Sequence, residues 1–573
     1  MQTNSLTHST PNDTTGKKTT VAGLIVRFLE VLGISHIFGI PGAHILPVYD
    51  SLYNSSITPV LAKHEQGAAF MAGGYAKASG RVGACITTAG PGATNLATGL
   101  ANAYADKTPV LAITGETPTY SFGKGALQES SGQGGSIDQN SFFQGITRYH
   151  RIVESIDYID QVFRKAYSVL TSPNPGPVLL SFPYNILKEE SASAGDFLLN
   201  LKSSPAQLKR QADIAGVDMI PEFILKAKRP VIIAGYGALV SGAGEELCKF
   251  SKTLGIPVAT SLKGRGLIPE TSEHSLGVLG VTSRELALRY IEDEADLLIL
   301  AGISFGERTS YNWKTSLFDG KNIIRLDNNP DQLQGVISAT LPVCGDVRTI
   351  FERLNLWLDK TRQQKKDASK DTSAVSRYKQ RYPDPNIRED DFVLVKEFLM
   401  RLDAHVGDDA LIFDDNIIYM QNFVTVSKAG RYFPNSGISS LGQAVPAAIG
   451  AQLSTPGRPV VALLGDGGFQ MCCMEIMTAV NHSVPLLVVL LNNSSLGLVR
   501  KNQHYNYHDR FISCDFVNPD YELLARSFGI NHRRITSQED IDQVLAEGVL
   551  DSGINLVEVM MYKNNFPNYH SGR

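Results

Sequence analysis

Short, continuously apolar runs recur along the chain, each broken by a glycine-containing turn and followed by a segment of helical periodicity. Val460–Leu464 and Leu486–Leu491 are typical. They have strand length and no polar alternation, the pattern of parallel strands covered on both faces. The first runs into Gly465-Asp466-Gly467, the second ends in Asn492-Asn493. Earlier, His36–Gly39 breaks at Gly39-Ile40-Pro41-Gly42, and Val60-Leu61-Ala62 leads into an alanine-rich helical run ending near Ala78. Cys85–Thr88 ends in Ala89-Gly90-Pro91-Gly92-Ala93-Thr94-Asn95, and Val110–Thr114 is closed by Gly115-Glu116-Thr117-Pro118. Val178–Pro183 is a further strand. A second series comprises Pro230–Ala234, Val258–Thr260, Leu297–Ala301 and Ile323–Asp327, and a third opens with Leu411–Phe413. This alternation predicts an α/β protein of three doubly wound parallel-sheet domains.

Length supports three units, because 573 residues exceed what one hydrophobic core holds. Polar stretches place the divisions: a flexible tail over 1–17, domains over 18–190, 211–360 and 391–560, linkers over 191–210 and 361–390, and a polar tail over 561–573. At 43% hydrophobic and 19% charged, with 51 glycines, the composition is that of a folded enzyme. A net charge of −4 gives no electrostatic case for nucleic acid or an anionic membrane surface. Six cysteines lack metal-type spacing and read as free thiols in a reducing compartment. Residues 1–17 lack the apolar core of a secretory signal, and runs such as Val484–Leu491 fall short of a membrane span, so a cytoplasmic location is expected.

The candidate chemistry sits at strand ends. Asp466 and Asn493 are delivered to one edge of a parallel sheet, where ligands of α/β folds bind. They form a hard-oxygen pair suited to Mg²⁺, and the glycines flanking Asp466 let backbone approach a phosphate at a helix start. A lone Gly-Asp-Gly is compatible with a plain turn; the second sheet-edge Asn-Asn argues for a site. Glu65, between a strand and a helix, is either a helix N-terminal charge or a buried functional acid. Gly235-Tyr236-Gly237 is a weak dinucleotide signal, better explained by plain strand–helix packing. Arg308 alone reads as a surface charge and Leu441 as core.

Gly465-Asp466-Gly467 with Asn492-Asn493 resembles the diphosphate motif of thiamine diphosphate (ThDP) enzymes. His64-Glu65-Gln66-Gly67-Ala68-Ala69 and Gly90-Pro91-Gly92-Ala93-Thr94-Asn95 are similar to the pyrimidine-binding domain of the acetohydroxyacid (acetolactate) synthase and pyruvate oxidase group. The resemblance spans nearly the whole chain and implies pyrimidine-binding, middle and diphosphate-binding domains in that order. It implies that Glu65 hydrogen-bonds the cofactor's aminopyrimidine, with Gly39, Pro41, Gly42, Pro91 and Asn95 also at the cofactor. Leu441 would wedge beneath the cofactor and bend it. Gly465, Asp466, Gly467, Asn493, Ser495 and Gly497 would hold the diphosphate, with Mg²⁺ on Asp466, Asn493 and the Ser495 carbonyl. In such families the middle domain binds FAD, ADP or nothing; Leu326-Asp327-Asn328-Asn329-Pro330 resembles the turn that holds the adenosine end of FAD, with its second acid lost, so FAD stays an open cofactor.

Substrate residues are mixed. Gln128 matches the Gln of the synthases' AFQE run, and Gly302–Arg308 resembles their GxRFDDR, whose last Arg grips the second keto acid's carboxylate. Leu127, Tyr184 and Asn502 depart from the synthase residues at those places, and Ser130–Ser136 looks partly inserted. The resemblance implies a Mg²⁺- and ThDP-dependent carboligase that decarboxylates a 2-keto acid, pyruvate first, and transfers the acyl carbanion to a second carbonyl compound. Glu65, Gln128 and Arg308 would act on the reactants, with His64 and Gln66 beside them. The alternatives are a simple 2-keto acid decarboxylase, a sulfoacetaldehyde acetyltransferase-like enzyme (for which Lys501-Asn502-Gln503 and Arg510-Phe511 speak) and a non-catalytic scaffold subunit. A homodimer or tetramer with the site across a subunit interface is also implied.

Overall fold

The fold is that of a computed structural model, which describes residues 19–191, 197–198, 201, 214–283, 285–364, 392–417, 421–546, 548–550 and 552–567. The expected tail over 1–17 lies outside them, as does most of the expected linkers.

Three six-stranded sheets are present, and within each of them every neighbouring pair runs parallel. The first holds β1 (His36–Gly39), β2 (Thr58–Leu61), β3 (Gly83–Thr87), β4 (Val110–Glu116), β5 (Tyr149–Ile152) and β6 (Val178–Pro183), in the order β2-β1-β3-β4-β6-β5. The middle sheet holds β7 (Pro230–Ala234), β8 (Val258–Thr260), β9 (Ser275–Val278), β10 (Leu297–Ala301), β11 (Asn322–Asp327) and β12 (Leu341–Cys344), in the order β9-β8-β7-β10-β11-β12. The third holds β13 (Leu411–Asp414), β14 (Tyr432–Pro434), β15 (Val460–Gly465), β16 (Leu486–Asn492), β17 (Asn531–Ile535) and β18 (Ile554–Met560), in the order β14-β13-β15-β16-β18-β17. The first and third sheets therefore share one topology and the middle sheet has another. Their winding reverses between β1 and β3, β7 and β10, and β13 and β15, the places where an α/β sheet opens a crevice for ligands.

Six helices bear on the site: α1 (Glu65–Ser79), α2 (Ala97–Ala105), α3 (Ala444–Ser454), α4 (Asp466–Cys472), α5 (Ile476–Asn481) and α6 (Gly497–Tyr507). α1 and α3 are apolar on nearly every face and belong to one hydrophobic cluster that joins the first and third sheets. Their small residues let the backbones touch: a Cβ at Gly74 would lie 2.0 Å from the Ala447 carbonyl oxygen, and one at Gly450 1.9 Å from that of Met71. Beside this crossing, Asn102 of α2 donates to Gln443 at 2.6 Å. Asp106, just past α2, accepts from Lys77 of α1 at 2.5 Å and from Lys263 of the middle unit at 2.6 Å. Two lysines hold the buried Asp106 carboxyl below its ordinary pKa against the opposing effect of burial.

Two expectations change. The stretch read as a linker over 191–210 contains Leu198 and Leu201, both buried in the first-sheet core, and Phe197 packs on Phe163. An apolar i, i+3 pair in a polar stretch docks because it covers core left open by the sheet. The helix Val347–Gln364 also continues into the second expected linker.

Gly450→Ala is expected to destabilise the protein by about 1–3 kcal/mol, because the added methyl meets backbone that cannot rotate away. Thermal unfolding would read this as a lowered midpoint, and an unchanged midpoint would show that α1 and α3 separate freely.

Candidate active site

At the third sheet, β15 ends in Gly465, whose extended backbone opens α4 with Asp466. The Asp466 side chain is buried and accepts from Gly467 N at 3.0 Å, Ser494 N at 2.6 Å and Asn518 Nδ2 at 2.9 Å. Burial raises its pKa against these donors. A Cβ at Gly467 would fall 2.6 Å from the end of the Leu496 side chain, which would have to shift to make room. β16 ends at Asn492, and Asn493 follows, its side-chain oxygen accepting from Ser495 N at 3.1 Å. Ser495 is buried and its Oγ has no hydrogen-bond partner. Gly497, where a Cβ would meet Asn493 Nδ2 at 2.8 Å, starts α6. Asp466, Asn493, Ser495, Gly465, Gly467 and Gly497 thus share one edge of one sheet. Among the described residues no three His, Cys, Asp or Glu side chains could hold a metal together, so a cation here would need amide, carbonyl or ligand oxygens.

Leu441 is half-buried just before α3 on the same side. It sits on a turn held by Asp415, which follows β13 and accepts from Gly442 N at 2.7 Å, Gln443 N at 3.1 Å and Asn435 Nδ2 at 3.1 Å. Arg308, from the loop after β10, donates to Asn416 Oδ1 at 3.1 Å and so reaches the loop beside the β13–β15 crevice.

At the first sheet, Glu65 begins α1 and accepts from Asn95 Nδ2 at 2.9 Å. The structural alternative for Glu65 was a helix-start charge. Glu65 is half-buried in the first turn of α1, a place that suits such a charge. Beside it His64 caps α1 through Gln66 N at 3.1 Å, and buried Glu475 accepts from Lys63 N and His64 N at 3.1 and 2.9 Å. Pro91 begins the short helix that ends beside Asn95. Gln128 has φ 60°, a backbone state costly for a non-glycine residue, and it packs on Gly90. The loop after it is ordered by Glu129, which accepts from Gly123 N at 2.6 Å and Ser131 Oγ at 2.6 Å. Gly39 has a packing reason of its own, since a Cβ there would strike the Ile86 carbonyl. Pro41 is exposed and Gly42 lies against Thr88. Among the described residues no hydrogen bond or ion pair joins Glu65 or Gln128 to Asp466 or Asn493; the two halves occupy separate sheet edges.

Sequence reasoning missed three residues that hold this geometry. Asn518 donates to Asp466 Oδ2, to Asn492 Oδ1 at 2.8 Å and to Ser494 Oγ at 3.3 Å, while accepting from Gln470 and Tyr521. One amide therefore ties the loop after β15 to the loop after β16. Asp415, whose carboxyl burial pushes up to about 6, and Glu475 are the others. Asp415 stood in a visible strand-end Asp414-Asp415-Asn416; Asn518 and Glu475 had no local signal, because their partners are distant in sequence.

Three family models match the chain: thiamine pyrophosphate enzyme, N-terminal TPP binding domain, over residues 19–137; central domain, over 217–354; and C-terminal TPP binding domain, over 416–559. The probable acetolactate synthase large subunit of Methanocaldococcus jannaschii is 31% identical over 566 residues, covering 94% of this chain and 91% of that protein. The acetolactate synthase large subunit of Lactococcus lactis subsp. lactis is 32% identical, with 96% and 93% covered. For the acetolactate synthase isozyme 2 large subunit of Escherichia coli the figures are 30%, 93% and 94%.

Glu558 of β18 anchors the β16 end. It accepts from Asn492 Nδ2 at 2.6 Å, His532 Nε2 at 3.0 Å and Arg534 Nε at 2.9 Å. Burial alone would raise its pKa, but His532, Arg534 and Asn492 outweigh that and bring it from 4.5 to about 2. Its stabilisation is present above the ordinary carboxylate pKa and is lost as pH falls toward 2. Glu558→Gln is expected to lower stability at neutral pH by roughly 1–2 kcal/mol after screening at the part-exposed Arg534. It should also flatten the acid limb of the denaturation profile; an unchanged limb would remove Glu558 from the site's support.

Proposed function

The chain belongs to the thiamine pyrophosphate enzyme family, with acetolactate synthase large subunits as relatives, and on that premise we propose how its site works. It is a ThDP-dependent carboligase. The donor we assign is a 2-keto acid, pyruvate first, and the acceptor a second carbonyl compound bearing a carboxylate.

The observation that carries this reading is the set of hard oxygens at the third-sheet edge: desolvated Asp466, Asn493 and the unspent Ser495 Oγ, beside a glycine cradle and the N-terminus of α4. These residues fit a diphosphate with Mg²⁺ on Asp466, Asn493 and the Ser495 carbonyl. Glu65, at the start of α1 with Asn95 beside it, fits an aminopyrimidine. Bound ThDP would supply the nucleophilic carbon that adds to the keto acid and takes up electrons as CO₂ leaves. Glu65 would hold a proton at the aminopyrimidine, Leu441 would pack against the cofactor, Gln128 would line the donor site, and Arg308 would grip the acceptor's carboxylate.

The middle sheet fits a flavin poorly. Gly235 N and Gly237 N, the donors that would face a dinucleotide at the β7–β10 crevice, are spent on the carbonyls of Ala301 and Gly302, both at 2.8 Å. We assign no role to FAD. The two halves of the site meet across subunits in our reading, as a homodimer or tetramer. Met471 and Met474, by α4, and Val517 expose 59, 54 and 93% of their surface, an apolar rim suited to a second copy. No described helix is long and apolar enough to cross a membrane; we place the enzyme in the cytoplasm. Domain bounds of 18–190, 211–360 and 391–560 complete the proposal, with Phe197, Leu198 and Leu201 docked on the first domain's core and the last helix of the second running on to Gln364.

With ThDP, Mg²⁺ and pyruvate, the purified protein is expected to release CO₂ and form acetolactate one for one. Acetaldehyde in its place would make it a simple decarboxylase, and turnover only of sulfoacetaldehyde with phosphate would favour the acetyltransferase. Glu65→Gln should leave ThDP bound while slowing turnover by about 100-fold or more; full activity would remove Glu65 from the mechanism. Arg308→Ala is expected to raise KM for an acidic acceptor more than for a neutral aldehyde, and equal effects would undo its assignment.

A further inference from the structure

The first sheet has its own crevice, between the loop after β1 and the loop after β3. His44 lies in the first loop and Thr88 in the second. Both atoms, His44 Nδ1 and Thr88 Oγ1, are buried and lack a hydrogen-bond partner among the described residues. Each such atom costs free energy unless a ligand or water meets it, so two on facing loops of one crevice mark a place built to be filled. The approach between them is close, because a Cβ at Gly42 would fall 2.7 Å from Thr88 Oγ1, and one at Gly115 2.9 Å from His44 Cβ. Gln128 completes the wall: it packs on Gly90 in its left-handed conformation and its side chain reaches toward the His44 ring. A strained residue held against a half-buried imidazole whose Nδ1 is unspent is the arrangement of a binding site rather than of a packed core.

We propose that His44 is a further substrate-binding residue, whose Nδ1, with Thr88 Oγ1 beside it, hydrogen-bonds an oxygen of the keto acid while Gln128 holds the ring in place. This rests on the carboligase reading and extends it to a residue that the sequence pattern does not single out. Burial lowers the pKa of His44 against the opposing contact with Gln128, so the ring is neutral near pH 7. A neutral donor orients the keto acid without the charge pairing that would stabilise its carboxylate against loss as CO₂. The acid is therefore gripped by neutral groups at the donor side and by Arg308 only at the acceptor side.

The test uses the full-length protein loaded with ThDP and Mg²⁺. Acetylphosphonate, a pyruvate analogue that cannot lose CO₂, is titrated by calorimetry, and kcat/KM for pyruvate is measured in parallel. His44→Ala is expected to weaken analogue binding by at least about tenfold and to lower kcat/KM similarly, with ThDP affinity unchanged. His44→Asn, which keeps an amide donor, should restore most of both, and Thr88→Val should show a smaller loss. Analogue affinity within twofold of wild type in His44→Ala and Thr88→Val overturns the proposal. If His44→Ala no longer binds ThDP, the Thr88→Val and His44→Asn values decide it alone. A wild-type protein that binds the analogue but decarboxylates no keto acid would refute the carboligase reading, and the His44 subsite would then stand or fall on the binding ratios.

Discussion

The crossing of α1 and α3 is the contact on which the rest depends. Two helices with no polar face can only be buried, and their glycines allow backbone to lie on backbone at Gly74 and Gly450. That contact merges the cores of the first and third sheets into one cluster and sets where each sheet's ligand edge points. α1 starts at Glu65, and α3 starts just after Leu441 and the Asp415-held turn. Closest approach of the helices and placement of the candidate cofactor residues are therefore the same constraint. Asp106 extends it to the middle unit by bridging Lys77 and Lys263, a buried carboxylate that two cations compensate.

Around this frame the chemistry is divided between sheet edges. The third sheet collects hard oxygens, tied together by Asn518 and backed by Glu558. The first sheet collects a half-buried carboxylate at a helix start, a strained glutamine and two buried polar atoms unspent among the described residues. The middle unit sends two guanidinium groups to the third, Arg308 to Asn416 and Arg265 to the carbonyls of Gln421 and Val424, while backbone hydrogen bonds tie Gly235 and Gly237 to Ala301 and Gly302. Polar groups left unsatisfied inside a protein are costly, and three of those among the described residues, on His44, Thr88 and Ser495, sit in loops at sheet edges.

Much of this was legible along the chain. Val460–Gly465 and Leu486–Asn492 are strands at nearly the bounds their apolar runs predict, and the doubly wound α/β class follows from the alternation alone. Asp466, Asn493 and Glu65 stood out because each combines a strand end, a helix start and an unusual residue. The expected linker over 191–210 was misread because two leucines in a polar stretch carry little periodicity until a core exists for them to cover.

By itself the sequence determined the class of fold, the family resemblance and the strand-end residues, since these rest on local periodicity and on motifs confined to a few turns of chain. Tertiary structure decided the rest. Strand order is not a local property: three similar successions of strand and helix yield the order 2-1-3-4-6-5 twice and 3-2-1-4-5-6 once. Asn518, Glu475 and His44 acquire their roles from partners brought beside them only when sheets wind and helices cross. Hydrogen bonds and close packing act over a few ångströms, so residues far apart in the chain gain meaning only after the fold has placed them.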